Sequence, residues 1–288
     1  MASHALVAPG LKSRILMLLP ASLGFLLLLM LPIAVILAFS VGERGPAGGY
    51  VGGFTLEHYA NLGARWSAFK NTLVLAPLGT LGCLLVAYPL AYFLAVKASR
   101  WKSLLLTLVI VPFWTSFLIR TYAWIYILGG KGLPALLEGI GFEYVRMLNT
   151  PGAITLGIIY GYLPLMVFPI FVTLDKLDKR LLEASADLGG NRLSTFLRIT
   201  LPLSMPGIIT GVMLVFILLM GEFLIPAILG GGKVFFVGNA LVDLFLQSRN
   251  WPFGAAIAMT LVALMLVIIG LYLRLVRRFN DRQALAAI

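Results

Sequence analysis

The sequence has little charge and few of the side chains on which enzymes and metal sites depend. Charged residues make up 11% of the 288, the only cysteine is Cys83, and the only histidines are His4 and His58. A disulfide needs two cysteines, and a zinc site or a histidine-dependent catalytic triad needs a cluster of side chains that these three residues do not provide. The sequence therefore predicts neither a catalytic constellation nor a metal site.

A phosphate-binding loop is also missing. Gly-Lys pairs stand at 130–131 and 232–233, but neither has a glycine five residues before its own glycine or a Ser or Thr after its lysine. The spacing that cradles nucleotide phosphates therefore fails at both places. If ATP drives this protein, another chain must bind it.

Long apolar runs dominate what is present, because 60% of the residues are hydrophobic. A helix needs about 20 apolar residues to cross the roughly 30 Å of a bilayer's hydrocarbon core. Six runs meet this length, at about 15–40, 71–96, 103–128, 152–174, 206–229 and 254–276. The first run is too long for the apolar part of a signal peptide, so it is expected to be retained. The sequence predicts an all-α integral membrane protein with six helices in one domain over residues 1–288.

Lysine and arginine are distributed unevenly between the two sides of the predicted bundle. With a cytoplasmic N-terminus, fourteen of the 22 Lys and Arg lie in cytoplasmic segments and seven in outer loops. Cytoplasmic loops usually carry this excess, which predicts that both termini are cytoplasmic. The same bias accounts for most of the net charge of +11. No soluble segment alternates basic and aromatic residues, so nucleic acid is not an expected partner.

A polar segment, Glu183–Pro202, stands between two strongly apolar runs. The residues that would give a short helix there one apolar side are Leu181, Leu182, Ala184, Ser185 and Leu188. Gly189 follows, and glycine ends helices at a positive φ that other residues avoid. We predict a docking helix at about 180–190 whose small side chains let another protein approach. The alternative is a helix lying on the lipid headgroups.

The spacing of this segment resembles the EAA motif of permease subunits in binding-protein-dependent ABC importers. Its order is E-A-(A/S)-x3-G-x9-I-x-L-P, and the matching residues are Glu183, Ala184, Ser185, Gly189, Ile199, Leu201 and Pro202. The resemblance implies that the segment, including Asp187, forms a short cytoplasmic coupling helix. In that family the coupling helix sits in a groove of the ATPase subunit.

Two ionisable residues, Arg120 and Glu222, lie within the predicted third and fifth spans. Charged side chains are costly inside a bilayer, so both are candidates for function. At 1.5 Å per residue, each lies about 25 Å above the cytoplasmic end of its span. The two residues either pair as a buried salt bridge, or Glu222 lies on a translocation path, where its carboxylate would offset the desolvation of a cationic substrate.

Tyr160 and Tyr162, in the predicted fourth span, reach a similar depth and extend this candidate path, and Trp114 and Tyr122 add further aromatic faces. Aromatic faces attract ammonium groups, so these rings are candidates for contact with a cationic substrate. The alternative is that the rings face lipid or the protein core.

Four longer segments are similar to the first-permease subunit of spermidine/putrescine importers, the PotB/PotH type. They are Val111–Trp124, Lys176–Gly190, Gly221–Lys233 and Arg249–Ala256. The resemblance implies a type I ABC importer permease fold in a bacterial inner membrane, with a polyamine as cargo. It also implies a second homologous permease, two ATPase subunits that carry ATP and Mg, and a periplasmic solute-binding protein. No cofactor is expected in this chain.

Other functions remain open at this point. Relatives of this type also carry opine-like or amino-acid-like solutes, and the residues do not separate these cargoes. An ion-coupled secondary transporter of this size usually has inverted repeats with broken helices and midplane carboxylates. The chain offers one acid within its spans and no evident repeat, which favours the importer.

Overall fold

The computed structural model describes residues 11–98 and 100–286. Within these ranges the chain forms thirteen α-helices and one two-stranded hairpin. In chain order they are α1 (Leu11–Ser40), β1 (Glu43–Arg44), β2 (Tyr50–Val51), α2 (Glu57–Ala60), α3 (Trp66–Tyr92), α4 (Lys102–Trp114), α5 (Phe117–Leu128), α6 (Leu133–Gly139), α7 (Pro151–Asp175), α8 (Lys179–Asp187), α9 (Arg192–Thr195), α10 (Leu201–Met220), α11 (Leu224–Leu229), α12 (Val237–Val242) and α13 (Trp251–Ala286). The chain ends predicted to be cytoplasmic, residues 1–10 and 287–288, lie outside the described residues.

The chain divides into two compact units. The first consists of Met1–Leu62 and Leu244–Val262, and the second of Gly63–Asp243 and Ala263–Ile288. In the described part of the first unit, the Arg44 side chain donates to the carbonyl of Ser248 (3.1 Å), and the Gly49 amide donates to the carbonyl of Arg249 (2.7 Å). These bonds tie the β1–β2 hairpin to the segment before α13. The prediction of a single domain over residues 1–288 stays a prediction.

Helices α3, α7 and α10 pack together and form the core of the second unit. Their contact faces are rich in small residues, which let membrane helices approach closely. On α3 the stripe consists of Ala76, Thr80, Cys83, Ala87 and Ala91, all buried. On α10, a Cβ atom placed on Gly207 would lie only 2.6 Å from the carbonyl oxygen of Pro169 on α7. The α7–α10 crossing therefore depends on a glycine at position 207.

The helices confirm the predicted membrane protein and refine its spans. Five helices among the described residues are long and apolar enough to cross a bilayer, and α4 with the helical stretch from Phe117 onward forms a sixth candidate. Four of the predicted runs correspond to the single helices α1, α3, α7 and α13. The last turns of α3 continue into a π-helical turn at Phe93–Lys97.

The third and fifth predicted spans are not continuous helices, which corrects the prediction. The chain bends by 93° between α4 and the helical stretch Phe117–Gly139, which begins with α5. The Thr115 amide and hydroxyl both donate to the carbonyl of Pro112, at 3.3 and 2.7 Å, and this local bonding ends α4. The fifth run is interrupted at 221–223, between α10 and α11. A depth counted along a straight helix therefore does not apply to Arg120 or Glu222.

Contacts within the second unit show which of its loops lie near each end of α3. At the end that finishes with Lys97, a cleft of about 500 Å³ lies between α3 and α8, and an ion pair joins Lys102 to Asp175 at the end of α7. At the other end, Arg65 and Asp243 form an ion pair of 2.7 Å. The segments 97–102 and 176–190 thus lie at one end of the unit, as the predicted topology requires.

Candidate functional site

The predicted docking helix is present as α8, Lys179–Asp187. The Asp178 side chain accepts a hydrogen bond from the Arg180 amide at 3.0 Å, which satisfies one of the free amides at the start of the helix. The predicted boundaries, about 180–190, differ from the observed ones by a few residues because the last three form the cap described next.

Gly189 ends this helix in the left-handed conformation that the sequence predicts, with φ of +78°. The Gly190 amide donates to the carbonyl of Ser185 at 2.8 Å, and the Gly189 amide donates to the carbonyl of Ala186 at 2.9 Å. Together these two bonds form a Schellman cap, which satisfies carbonyls at the end of a helix. The EAA-like spacing of Ser185 and Gly189 thus corresponds to this Schellman cap.

One face of α8 is apolar and exposed. Leu181 is 44% exposed and Leu188 is 90% exposed, with the exposed Ala184 between them at helical spacing. Large apolar side chains that face outward in a polar segment are typical of a surface that another protein covers. Glu183 and Asp187 are also exposed.

The inner face of this segment is linked to the helical core by hydroxyl groups. The Ser185 and Thr195 hydroxyls are 2.7 Å apart and hydrogen-bonded, which connects α8 to α9. At the start of α10, which Leu201 and Pro202 begin, the Ser204 hydroxyl donates to the Leu201 carbonyl at 2.9 Å and bonds the Tyr88 hydroxyl at 3.0 Å. Tyr88 belongs to α3. Hydrogen bonds and the chain itself therefore connect α8, through α9 and the start of α10, to the helical core.

Arg120 lies in an aromatic box, defined here as Phe113 on α4, Phe117 on α5 and Tyr160 on α7. The guanidinium carbon is 5.5, 5.6 and 6.0 Å from the centres of these three rings, respectively. Arg120 is 9% exposed, and its Nε has no hydrogen-bond partner. Each cation–π contact contributes about 0.5–2 kcal/mol, whereas a buried unsatisfied donor costs about 1–3 kcal/mol. The aromatic rings, and not a counter-ion, therefore hold this buried cation.

Glu222 lies in the break between α10 and α11 and is 7% exposed. Its Oε1 accepts hydrogen bonds from the amides of Leu224 (2.7 Å) and Ile225 (3.2 Å), the first two residues of α11. Its Oε2 accepts a hydrogen bond from the Tyr162 hydroxyl. The carboxylate thus joins the start of α11 to α7 and has partners on both oxygens.

Arg120 and Glu222 do not pair, although both are described residues. The ion pairs within the described part of the chain are Arg65–Asp243 and Lys102–Asp175. The buried salt bridge considered from the sequence is therefore absent, because Glu222 is held by Tyr162 and backbone amides while Arg120 is held by rings. Phe117 bridges the two sites, since its ring is 6.0 Å from that of Tyr162.

The predicted aromatic residues fall into two groups. Tyr160 and Tyr162 contact the two ionisable residues, and Tyr160 also packs edge-on against Trp124 at 5.4 Å. Trp114, 82% exposed, and Tyr122, 48% exposed, have no ring contact with them. The structure therefore brings together four of the six predicted path residues.

Sequence reasoning missed the residues that hold the broken segment in place. The Asn239 amide group donates to the carbonyl of Phe223 at 2.7 Å, and its oxygen accepts from the Phe236 amide at 3.1 Å. The Thr72 hydroxyl accepts from the Val237 amide at 2.9 Å. It also missed Phe113 and Phe117. Phe117 stands three residues before Arg120 on the same helix, and that spacing was a usable signal. Phe113 lies beyond the break at 115–116, so helical spacing does not account for its position.

Acidic, histidine and cysteine side chains do not gather into a metal site anywhere in residues 11–98 and 100–286. No group of three or more of them is arranged to hold an ion.

Comparison with known proteins gives a family match over most of the chain. Residues 87–282 match the family described as binding-protein-dependent transport system inner membrane component. The spermidine/putrescine transport system permease protein PotB of Haemophilus influenzae is 41% identical over 258 residues, covering 88% of this chain and 90% of that protein. The protein of the same name from Escherichia coli is 40% identical over 265 residues, covering 90% of this chain and 96% of that protein.

A solved structure shares the fold. It is the crystal structure of a bacterial alginate ABC transporter in complex with an alginate pentasaccharide-bound periplasmic protein. One of its chains superposes with a TM-score of 0.73 at 20% identity, covering 93% of this chain and 95% of that one.

Proposed function

Because this chain belongs to the family of binding-protein-dependent transport system inner membrane components, we propose that it forms half of the translocation pathway of an ATP-driven importer of polyamines. The predicted fold, an all-α type I ABC importer permease, is confirmed, with five candidate spans among the described residues, or six if the bent α4–α5 pair is one span. The chain is a multi-pass protein of the inner membrane and not an enzyme.

The polyamine cargo is supported by one observation above all. Proteins named spermidine/putrescine permeases align with this chain over 88% and 90% of its length at 41% and 40% identity, respectively. The chemistry around Arg120 and Glu222 is compatible with such a cargo. Partly exposed aromatic rings stand beside buried polar groups, and rings of this kind bind ammonium groups without a full counter-ion.

The proposed path is lined by Arg120, Tyr160, Tyr162 and Glu222, the predicted residues that lie together. Trp114 and Tyr122 would contribute only if the second permease closes the path over their exposed faces. Glu222 in this arrangement acts chiefly through its hydrogen bonds to α11 and Tyr162, which fix the wall of the path.

Coupling to ATP hydrolysis is assigned to α8 and its cap. The exposed Leu181, Ala184 and Leu188 provide the apolar contact for the ATPase subunit, and Gly189 closes the helix so that Ser185 stays bonded to Thr195. Glu183 and Asp187 flank this contact, and Leu201 and Pro202 pass the movement on to α10. With this role, α8 and both chain ends are cytoplasmic.

The remaining partners are those that membership in this family implies. Two copies of a separate ATPase subunit carry ATP and Mg, in line with the missing phosphate-binding loop in this sequence. A second homologous permease completes the path, and a periplasmic solute-binding protein delivers the polyamine to the outer loops.

Co-purification tests this assembly. The tagged chain, extracted from its own membranes in mild detergent, is expected to bring down an ATPase subunit and a second six-span permease. A chain that transports alone in proteoliposomes would be a secondary carrier, and the proposal would then be wrong.

A further inference from the structure

The proposed path contains a cation that belongs to the protein itself. Arg120 is nine-tenths buried, and its guanidinium lies against the three rings of the aromatic box. No acid among the described residues forms an ion pair with it, and its Nε donor is unpartnered. Such a site binds a cation through ring faces alone, and the same faces are suited to an ammonium group.

We propose that Arg120 is a resident cation, which an ammonium group of the cargo replaces in the aromatic box during transport. This inference rests on the proposed function, because it takes the cargo to be a polyamine. It makes Arg120 a specificity-determining residue of the path: the box accepts a group only if that group can take over the cation–π contacts.

Replacement follows from the geometry of the box. Two like charges within a few ångströms repel each other strongly in a medium of low dielectric constant, so the guanidinium and an ammonium group do not share the three rings. When Arg120 leaves, the ammonium group takes over its ring contacts. The Nε donor, unpartnered in the box, becomes free to bond a carbonyl or water, and this gain offsets part of the cost of leaving.

The box is open on one side. Phe113 is 37% exposed and Tyr160 is 38% exposed, whereas Arg120 between them is 9% exposed. Cargo can therefore reach the exposed parts of these two rings from outside this chain while the guanidinium is still in the box. The break at Thr115–Ser116, which separates Phe113 from Phe117, gives the box a wall on each side of the bend.

The experiment uses the whole importer complex in nanodiscs, with equilibrium binding of radiolabelled spermidine and ATP-driven uptake in proteoliposomes as readouts. Arg120→Gln, which leaves the box without its cation, is expected to bind spermidine about ten-fold more tightly, since one such contact corresponds to roughly that factor. Its uptake at saturating loaded binding protein should be slower, because cargo leaves the box more slowly. Arg120→Lys restores a cation and should return both values toward native.

Matched variants keep the test decisive if Arg120→Gln assembles poorly. Tyr160→Leu, which removes a ring, should weaken spermidine binding, while Tyr160→Phe, which keeps it, should not. Tyr126→Leu, on the same helix as Arg120 but 83% exposed, controls for general loss of aromatic surface. Equal affinities of the Tyr160→Leu and Tyr160→Phe complexes would overturn the inference.

The other outcomes are also distinct. Unchanged spermidine affinity in a well-assembled Arg120→Gln complex means that Arg120 is only structural, and weaker affinity means that Arg120 supports the spermidine site and does not compete for it; both overturn the inference. If the native complex does not take up spermidine or putrescine at all, the proposed function itself has failed. If it does and the variants show no shift, only the resident-cation inference has failed.

Discussion

Glu222 has the most completely defined surroundings of any ionisable residue in the path. Both of its oxygens are hydrogen-bonded, to two amides of α11 and to the Tyr162 hydroxyl. A buried carboxylate with all these partners is expensive to remove, because each donor that loses it is left unsatisfied. The position of Tyr162 and the start of α11 therefore depend on this one side chain.

A double-mutant cycle tests this role. We expect Glu222→Gln and Tyr162→Phe each to lower the thermal stability of the complex, with a coupling energy of about 0.5–3 kcal/mol, as for residues in direct contact. The measurement is thermal unfolding of the purified complex for the native chain, both single variants and the double variant. The contrary result has two parts: no coupling between the two changes, and a Glu222→Gln complex that keeps its stability but loses polyamine uptake. Glu222 would then bind the cargo directly.

Single residues were predictable from the sequence where a rule of charge or backbone conformation singles them out. Arg120 and Glu222 stand out because charges are rare in apolar runs, and Gly189 because a helix end calls for glycine. Their partners were not predictable. Nothing in the spacing of Tyr162 and Glu222, 60 positions apart, indicates a hydrogen bond, and the apparent match of depth between Arg120 and Glu222 suggested the wrong pair.

At the scale of elements, the cap of α8 is the feature most exposed to a single change. Gly189 has open space around its Cβ position, so a substitution there meets no steric contact and is opposed by its φ of +78° alone. That conformation costs a branched residue about 1–2 kcal/mol, which lowers the population of the capped helix by roughly ten-fold.

Gly189→Val should therefore leave the permease inserted but poorly coupled, with uptake reduced to a similar extent. Gly189→Asn is the matched control, because asparagine tolerates the left-handed region better than valine and should retain more uptake. The measurement is polyamine uptake normalised to the amount of complex in the membrane. An undiminished rate in Gly189→Val at normal expression would contradict the coupling role of α8.

The elements themselves were largely predictable, and their breaks were not. Apolar runs predict helices by length alone, so α7 is predicted within one residue at each end. The same criterion does not reveal the interruptions at 115–116 and 221–223, because the residues there are too few to divide an apolar run into two. The breaks depend on local hydrogen bonds, from Thr115 to Pro112 and from α11 amides to Glu222, and on Asn239, which holds the Phe223 carbonyl from a distant segment.

At the scale of the whole molecule, the account depends on which side of the membrane α8 faces. The excess of Lys and Arg favours the cytoplasm, and the contacts that bring segments 97–102 and 176–190 to one end of the second unit agree with a shared side. In a chain with Cys83 replaced by alanine, Asp187→Cys should resist a membrane-impermeant maleimide in intact cells and react in inverted vesicles.

The matched control is Glu138→Cys on α6, whose exposed side chain lies between the predicted third and fourth spans, on the predicted outer side. It should react in intact cells. Labelling of position 187 from outside would overturn the orientation and the coupling assignment together.

The most direct test of the central claim is ligand-stimulated ATP hydrolysis by the reconstituted importer with its binding protein. The assay compares spermidine and putrescine with opine-like and amino-acid-like solutes, at equal concentrations and with the same complex. The account predicts that the polyamines raise the hydrolysis rate well above the ligand-free level and that the carboxylate-bearing solutes do not. Stimulation by a carboxylate-bearing solute, with no response to either polyamine, would contradict it.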